Sequence, residues 1–167
     1  MDQVRFWAII ERNRGNPKKV EAALAKLPPE EIAAWRRMYY DHHNALHRWD
    51  LWGAAYVING GCGNDGFHYF KAWLIGRGRK VYEAAMRDPD SVGRFVTFIN
   101  RFRGCENELL NYAAEEAYER RMGKEMEQDR NSNEFDEPAG ARWTEDNVLD
   151  LFPKLAAKFA KNWNRSS

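Results

Sequence analysis

The chain has 167 residues, 44% hydrophobic and 31% charged, which is the composition of an ordinary globular domain. A formal net charge of +1 supplies no global field that selects nucleic acid or an anionic membrane. No stretch approaches the roughly 20 apolar residues of a membrane span. Met1-Asp2-Gln3-Val4-Arg5 also lacks the basic-then-apolar order of a secretion signal, so the expected location is cytoplasmic, with no membrane partner.

Asp2 predicts a cap for a helix over residues 2 to 13, with Val4, Phe6, Trp7, Ile9 and Ile10 as its wide apolar face. Gly15-Asn16-Pro17 stops it. Val20, Leu24 and Leu27 give a second helix, and Pro28-Pro29 breaks the chain and opens a third. That third helix carries Ile32, Trp35, Met38 and Tyr39, and a break is expected between His47 and Asp50. Asp50 is expected to cap a nearly all-apolar helix from Leu51 to Asn59, ended by Gly60-Gly61.

The next helix covers 66 to 75, with Asp65 expected as its cap, and another covers 79 to 87. After the Asp88-Pro89-Asp90-Ser91 turn, Val92, Phe95, Val96, Ile99 and Phe102 form one helical stripe up to Gly104. A helix over 106 to 122 ends at Gly123. Residues 124 to 141 are polar and turn-rich and are expected to be flexible. Thr144 is expected to cap a last helical region, with Pro153 in the first turn of its second piece. No run alternates long enough to specify a strand. The expected fold is all-α: a compact bundle of about seven to nine short helices in one domain, residues 1 to 167. Seven Trp, seven Tyr and nine Phe fit a bulky core first, and an interface second.

Candidate chemistry clusters in four places. In Gly60-Gly61-Cys62-Gly63-Asn64-Asp65-Gly66, backbone N–H groups precede a helix, but the lysine and hydroxyl of a phosphate loop are missing. Cys62, Asp65 and His68 comprise a nucleophile set by residue type, at a spacing too local for ordinary triad geometry. Cys62 and Cys105 lack CxxC spacing and read as reduced thiols. His43 and His47, four apart, share a helix face at metal-capable spacing, but no Glu base lies between them. No cofactor is assigned.

The fourth feature is charge. Residues 71 to 103 hold eight Lys and Arg against three acids, and residues 104 to 137 hold eleven acids against four cations. Packed side by side, these fields would largely cancel. Left open, the basic stretch with Arg87, Arg94, Arg101 and Arg103 would suit phosphates, or the split would suit self-association.

The run Asp50-Leu51-Trp52-Gly53-Ala54-Ala55-Tyr56, then Gly60-Gly61-Cys62 and Asp65-Gly66-Phe67, resembles a family of uncharacterised bacterial proteins catalogued as domain of unknown function 4240. Trp73-Leu74-Ile75, Gly78-Arg79, Tyr82-Glu83, Asp88-Pro89-Asp90-Ser91, Phe6-Trp7 and Phe152-Pro153-Lys154-Leu155 extend the resemblance over most of the chain. Gly63-Asn64 departs from it, where a small polar residue and an acid are implied. The resemblance implies a fold and a bacterial cytoplasmic setting, and no activity.

Three functions stand as expectations. The first is a non-catalytic protein-interaction or adaptor domain, with a protein partner or a second copy. The alternative is a small-molecule binder or hydrolase-like enzyme whose pocket lies at the Gly60–His68 corner, with Asp50, Cys62, Asp65, His68, Arg79, Tyr82 and Glu83 as its walls. The third is a nucleic-acid binder through residues 71 to 103.

Overall fold

The computed structural model describes residues 1–127 and 136–161. Helix α1 (Gln3–Arg12) starts where the Asp2 carboxylate accepts from the Arg5 N–H at 2.8 Å. Helix α2 (Pro17–Leu24) starts where Asn16 accepts from Lys19, with Pro17 in the first turn, where its missing N–H costs nothing. Between them the chain takes φ +62° at Gly15, and a Cβ there would lie 2.0 Å from the Gly76 carbonyl oxygen. Only glycine permits both the left-handed turn and that approach.

Helix α3 (Pro29–Ala45) buries Ile32, Trp35, Arg36, Tyr39, Tyr40 and His43. This is one helical face at spacings of three and four, and two of its six residues, Arg36 and His43, are polar. The break after it falls where expected, and α4 (Trp49–Asn59) comes next, apolar on nearly every side. Its N-cap position is Arg48 rather than Asp50, which sits in the first turn. Gly60 ends α4 in the left-handed conformation. Helix α5 (Asn64–Gly76) buries Phe67 and an unbroken run from Phe70 to Gly76, so it lies at the centre. Asp65 does not cap it. The N-cap is Gly63, and Asp65 lies in the first turn, where the helix dipole favours an acid.

Helix α6 (Arg79–Arg87) leads to a 3₁₀ segment, Pro89–Phe95. The single stripe expected from Val92 to Phe102 is two elements. Val96 is extended, and Thr97 and Asn100 cap each other reciprocally to start α7 (Phe98–Arg103). The 106 to 122 helix is likewise split into a 3₁₀ segment, Glu108–Tyr112, and α8 (Ala113–Met122). The C-terminal part contains α9 (Val148–Leu151) and α10 (Pro153–Phe159). Thr144 starts a turn, while the N-cap of α9 is Asn147, whose carboxamide oxygen accepts from the Thr144 N–H.

The architecture is all-helical, with no strand among the described residues. The nearest approach to one is an isolated parallel bridge between Arg48 and Ala139. One hydrophobic cluster runs from Phe6 to Phe159. Helix α8 packs on α2 and α3, and α10 packs on α4 and the Pro89–Phe95 segment. The aromatic surplus goes largely into this core: Trp7, Trp35, Trp49 and Trp73 are buried, and Trp49, Trp52 and Phe67 stack in series with ring centroids 5.1 and 5.0 Å apart. No helix of the described residues is long and apolar enough to cross a membrane.

Of the 124 to 141 segment expected to be flexible, residues 128–135 lie outside the described residues. Its flanks are tied to α3 and its end. The Glu127 carbonyl accepts from Arg36 Nη2, and the Asp136 carbonyl from His47 Nε2, both at 2.9 Å.

Candidate functional site

The Gly60–His68 corner is a tight turn between α4 and α5. Gly60 and Gly61 take φ of +70° and +132°, and the Cys62 carbonyl accepts from the Trp52 indole at 2.8 Å. Burial, with the Glu106 carboxylate, pushes the Cys62 thiol up to about 12, so it carries its proton at neutral pH. No hydrogen bond joins Cys62 to Asp65 or His68 among the described residues. His68 instead turns toward α3, its ring 4.5 Å from that of His43.

Arg79, Tyr82 and Glu83 gather elsewhere. Eight residues of α5 lie between His68 and the end of that helix before Arg79, roughly 12 Å along the helix axis at 1.5 Å per residue. Arg79 Nε pairs with Glu83 at 2.7 Å, and the Arg79 N–H donates to Glu11 of α1. Tyr82 is buried between Trp7 and His42, with ring centroids 5.2 and 4.9 Å away. These residues pack α6 against α1 and α3.

His43 and His47 lie inside the fold, His43 wholly buried and His47 6% exposed. His43 Nε2 donates to the His68 carbonyl at 3.1 Å, while its Nδ1 is buried without a hydrogen-bond partner among the described residues. Burial, reinforced by the Lys71 ammonium, holds His43 well below 6.5 and therefore neutral. His47 donates from Nε2 to Asp136, which leaves Nδ1 as the acceptor for Lys71 Nζ at 3.2 Å. Lys71 is 1% exposed and also lies over the Phe67 ring. The two histidines thus belong to a hydrogen-bonded core network. Among the described residues, no group of three or more His, Cys, Asp or Glu converges on a metal position.

Asp50 stands in a different place from the corner. It closes a two-point ion pair on Arg48 at one end of a cleft of about 450 Å³, walled by Trp143, Leu151 and Phe152.

Lys71 of the basic stretch is in the core and Arg79 pairs with Glu83, but its remaining cations stay open to solvent. The acids of α8 pair with Lys18 of α2 and Arg36 of α3, not with residues 71 to 103. Among the described residues, Arg87, Arg94, Arg101 and Arg103 are exposed and lie in no ion pair. They do not form one stripe, because Arg101 and Arg103 are two apart on α7 and point to opposite sides. Arg101 and Lys158 flank the Phe159 ring, at 5.8 and 5.4 Å, and Arg94 and Lys158 line a second cleft of about 460 Å³. On the same short helix, Phe98 is 74% and Ile99 62% exposed. The sequence reading placed Ile99 in one helical stripe with Val92, Phe95 and Val96. The signal against that assignment was the Thr97–Asn100 pair, which restarts the helix and rotates its faces.

The family model described as "Protein of unknown function (DUF4240)" matches residues 1–120. The chain belongs to that family. No curated protein and no solved structure matches it. The family region runs from α1 nearly to the end of α8, and it is shaped to receive the C-terminal helices. A Cβ on Gly53 would meet Phe152, and one on Gly93 would meet Leu155 and Phe159. Asp90, from the Asp-Pro-Asp-Ser turn of this DUF4240 member, accepts from the backbone N–H groups of Lys154 and Leu155 at 3.1 and 2.9 Å. It therefore caps α10 from 64 residues away.

Proposed function

We propose that this protein is an interaction domain that docks an acidic segment of another protein on α7 and the cations beside it. The observation that carries this reading is the surface of that helix. Two large apolar side chains, Phe98 and Ile99, are mostly exposed on a helix that also carries Arg101 and Arg103, with Arg94 just before it; the three arginines are exposed and in no ion pair among the described residues. Burying a Phe or Ile side chain contributes about 1.5–3 kcal/mol. Interfaces characteristically place apolar anchors at the centre and Arg around them. Guanidinium groups outside any ion pair favour an acidic partner and speed its approach at low salt. An adaptor without its own chemistry also fits a corner thiol that keeps its proton. The divergence of Arg101 and Arg103 supports a protein segment over a tracked phosphate backbone.

The test is site-specific photo-crosslinking in cells. A photoreactive phenylalanine analogue replaces Phe98, and a control copy carries it at Lys19, on α2. The reading expects crosslinks at position 98, absent at 19, that map to an acidic segment with an apolar anchor. Crosslinks to RNA, to a basic segment, or to the same proteins from both positions would contradict it.

A further inference from the structure

The cleft at the start of α4 is built more rigidly than packing alone requires. Trp143 forms one wall, locked by its indole N–H donating to the Trp49 carbonyl at 2.8 Å and by its ring lying 4.8 Å from Tyr56. The strap leading to it is pinned on both sides of the bridge: the Trp49 N–H donates to the Ala139 carbonyl at 2.9 Å, and the Ala139 N–H to the His47 carbonyl at 3.0 Å. Phe152 is buried behind the cleft, and Leu151, 56% exposed, stands at its rim.

The polar end is equally fixed. Arg48 Nε donates to Asp50 Oδ1 at 3.0 Å, Nη2 pairs with Oδ2, and Nη1 donates to the Met86 carbonyl at 3.0 Å. Asp50 Oδ1 also accepts from the Leu51 N–H at 2.8 Å. Arg48 occupies the N-cap position of α4 and makes no capping bond, where Ser, Asp or Asn would stabilise the helix. Its side chain is spent on the cleft instead.

The chemistry of that end defines its ligand. A guanidinium has five N–H donors. Among the described residues, the second on Nη1 has only the weakly accepting Met86 sulfur, 3.7 Å away, and the second on Nη2 has no acceptor. Asp50 retains acceptor lone pairs beside them. The paired charges cancel, so an anion meets Asp50 and a cation meets Arg48, each at a loss. A neutral group that accepts and donates side by side satisfies both. With apolar walls and a volume inside the usual range for ligand pockets, we infer that this cleft binds a small neutral molecule with a flat apolar body and an amide-type edge. This is independent of the α7 surface.

The probe is an isosteric series on one ring: benzamide, benzoate and benzamidinium, titrated into the full chain and followed by ¹H–¹⁵N NMR of the Trp143 indole and Arg48 Nε–H signals. Benzamide is expected to shift both signals saturably, with millimolar affinity as a fragment of this size allows. The two charged analogues bind at least about tenfold more weakly. Ala141→Phe, which fills the cleft from an exposed backbone position, removes the benzamide shifts while the circular dichroism spectrum is kept. Should that variant unfold, Leu151→Trp at the rim serves the same purpose. No shift with benzamide, equal binding of a charged analogue, or shifts that survive the filled cleft would overturn the inference.

Discussion

Replacing Gly53 by Ala probes how the C-terminal segment closes on the family region. A Cβ at position 53 would lie 2.5 Å from Cε2 and 2.9 Å from Cζ of Phe152, and 3.0 Å from Cδ1 of Trp143. Phe152 is only 5% exposed, so its ring has to move against the core and not into water. Overpacking of this kind costs about 1–3 kcal/mol. Ala recovers roughly 0.5–1 kcal/mol of helix propensity over Gly. The net expectation is a loss of up to about 2.5 kcal/mol, read as a lower urea midpoint at unchanged m-value by tryptophan fluorescence. Phe152→Leu makes room, so the double variant should lose less than the two single losses combined. If Gly53→Ala is more stable than the parent, propensity has acted alone and Phe152 does not sit against α4.

Asp90→Ala should cost about 1–2 kcal/mol in thermal unfolding, because two backbone donors of α10 lose their acceptor; Asp90→Asn, which keeps one oxygen, should lose less. His43, held neutral by burial, titrates well below 6.5 in the folded protein, whereas the unfolded chain takes that proton near 6.5. Stability should therefore fall as pH drops below about 6.5, by up to about 1.4 kcal/mol per pH unit. His43→Phe should flatten that slope in urea titrations across pH 5 to 7. Burial raises the thiols of Cys62 and Cys105 to about 12. Iodoacetamide at pH 8 should label them at least about a hundredfold more slowly than a free thiol, by intact mass, with denaturant restoring normal labelling.

Local signals were readable in the chain wherever one or two neighbouring residues decide the structure. Asp2, Pro17, Gly60 and Pro153 start or stop helices where their backbone chemistry says they should. Wherever a residue answers to a distant partner, the sequence was silent. Asp90 looks like a turn residue, yet its carboxylate bonds helix α10. Asp50 looks like a cap, yet it holds Arg48 at a cleft whose walls come from Trp143, Leu151 and Phe152. The acidic α8 and the basic 71 to 103 stretch look complementary, yet α8 pairs with α2 and α3 and leaves the arginines open. Apolar periodicity failed at one place for a local reason: the Thr97–Asn100 cap restarts the helix and turns Phe98 and Ile99 outward.

A docking role for α7 is tested most directly by the crosslinking yield at position 98 when Arg94 and Arg101 are both changed to Glu. Both are surface residues outside any ion pair among the described residues, so the fold should hold, as circular dichroism checks. The expected result is a yield to the acidic partner reduced by about tenfold or more, as reversal of two steering charges implies. A yield unchanged by the reversal would contradict it, because apolar contact alone would then account for whatever binds there.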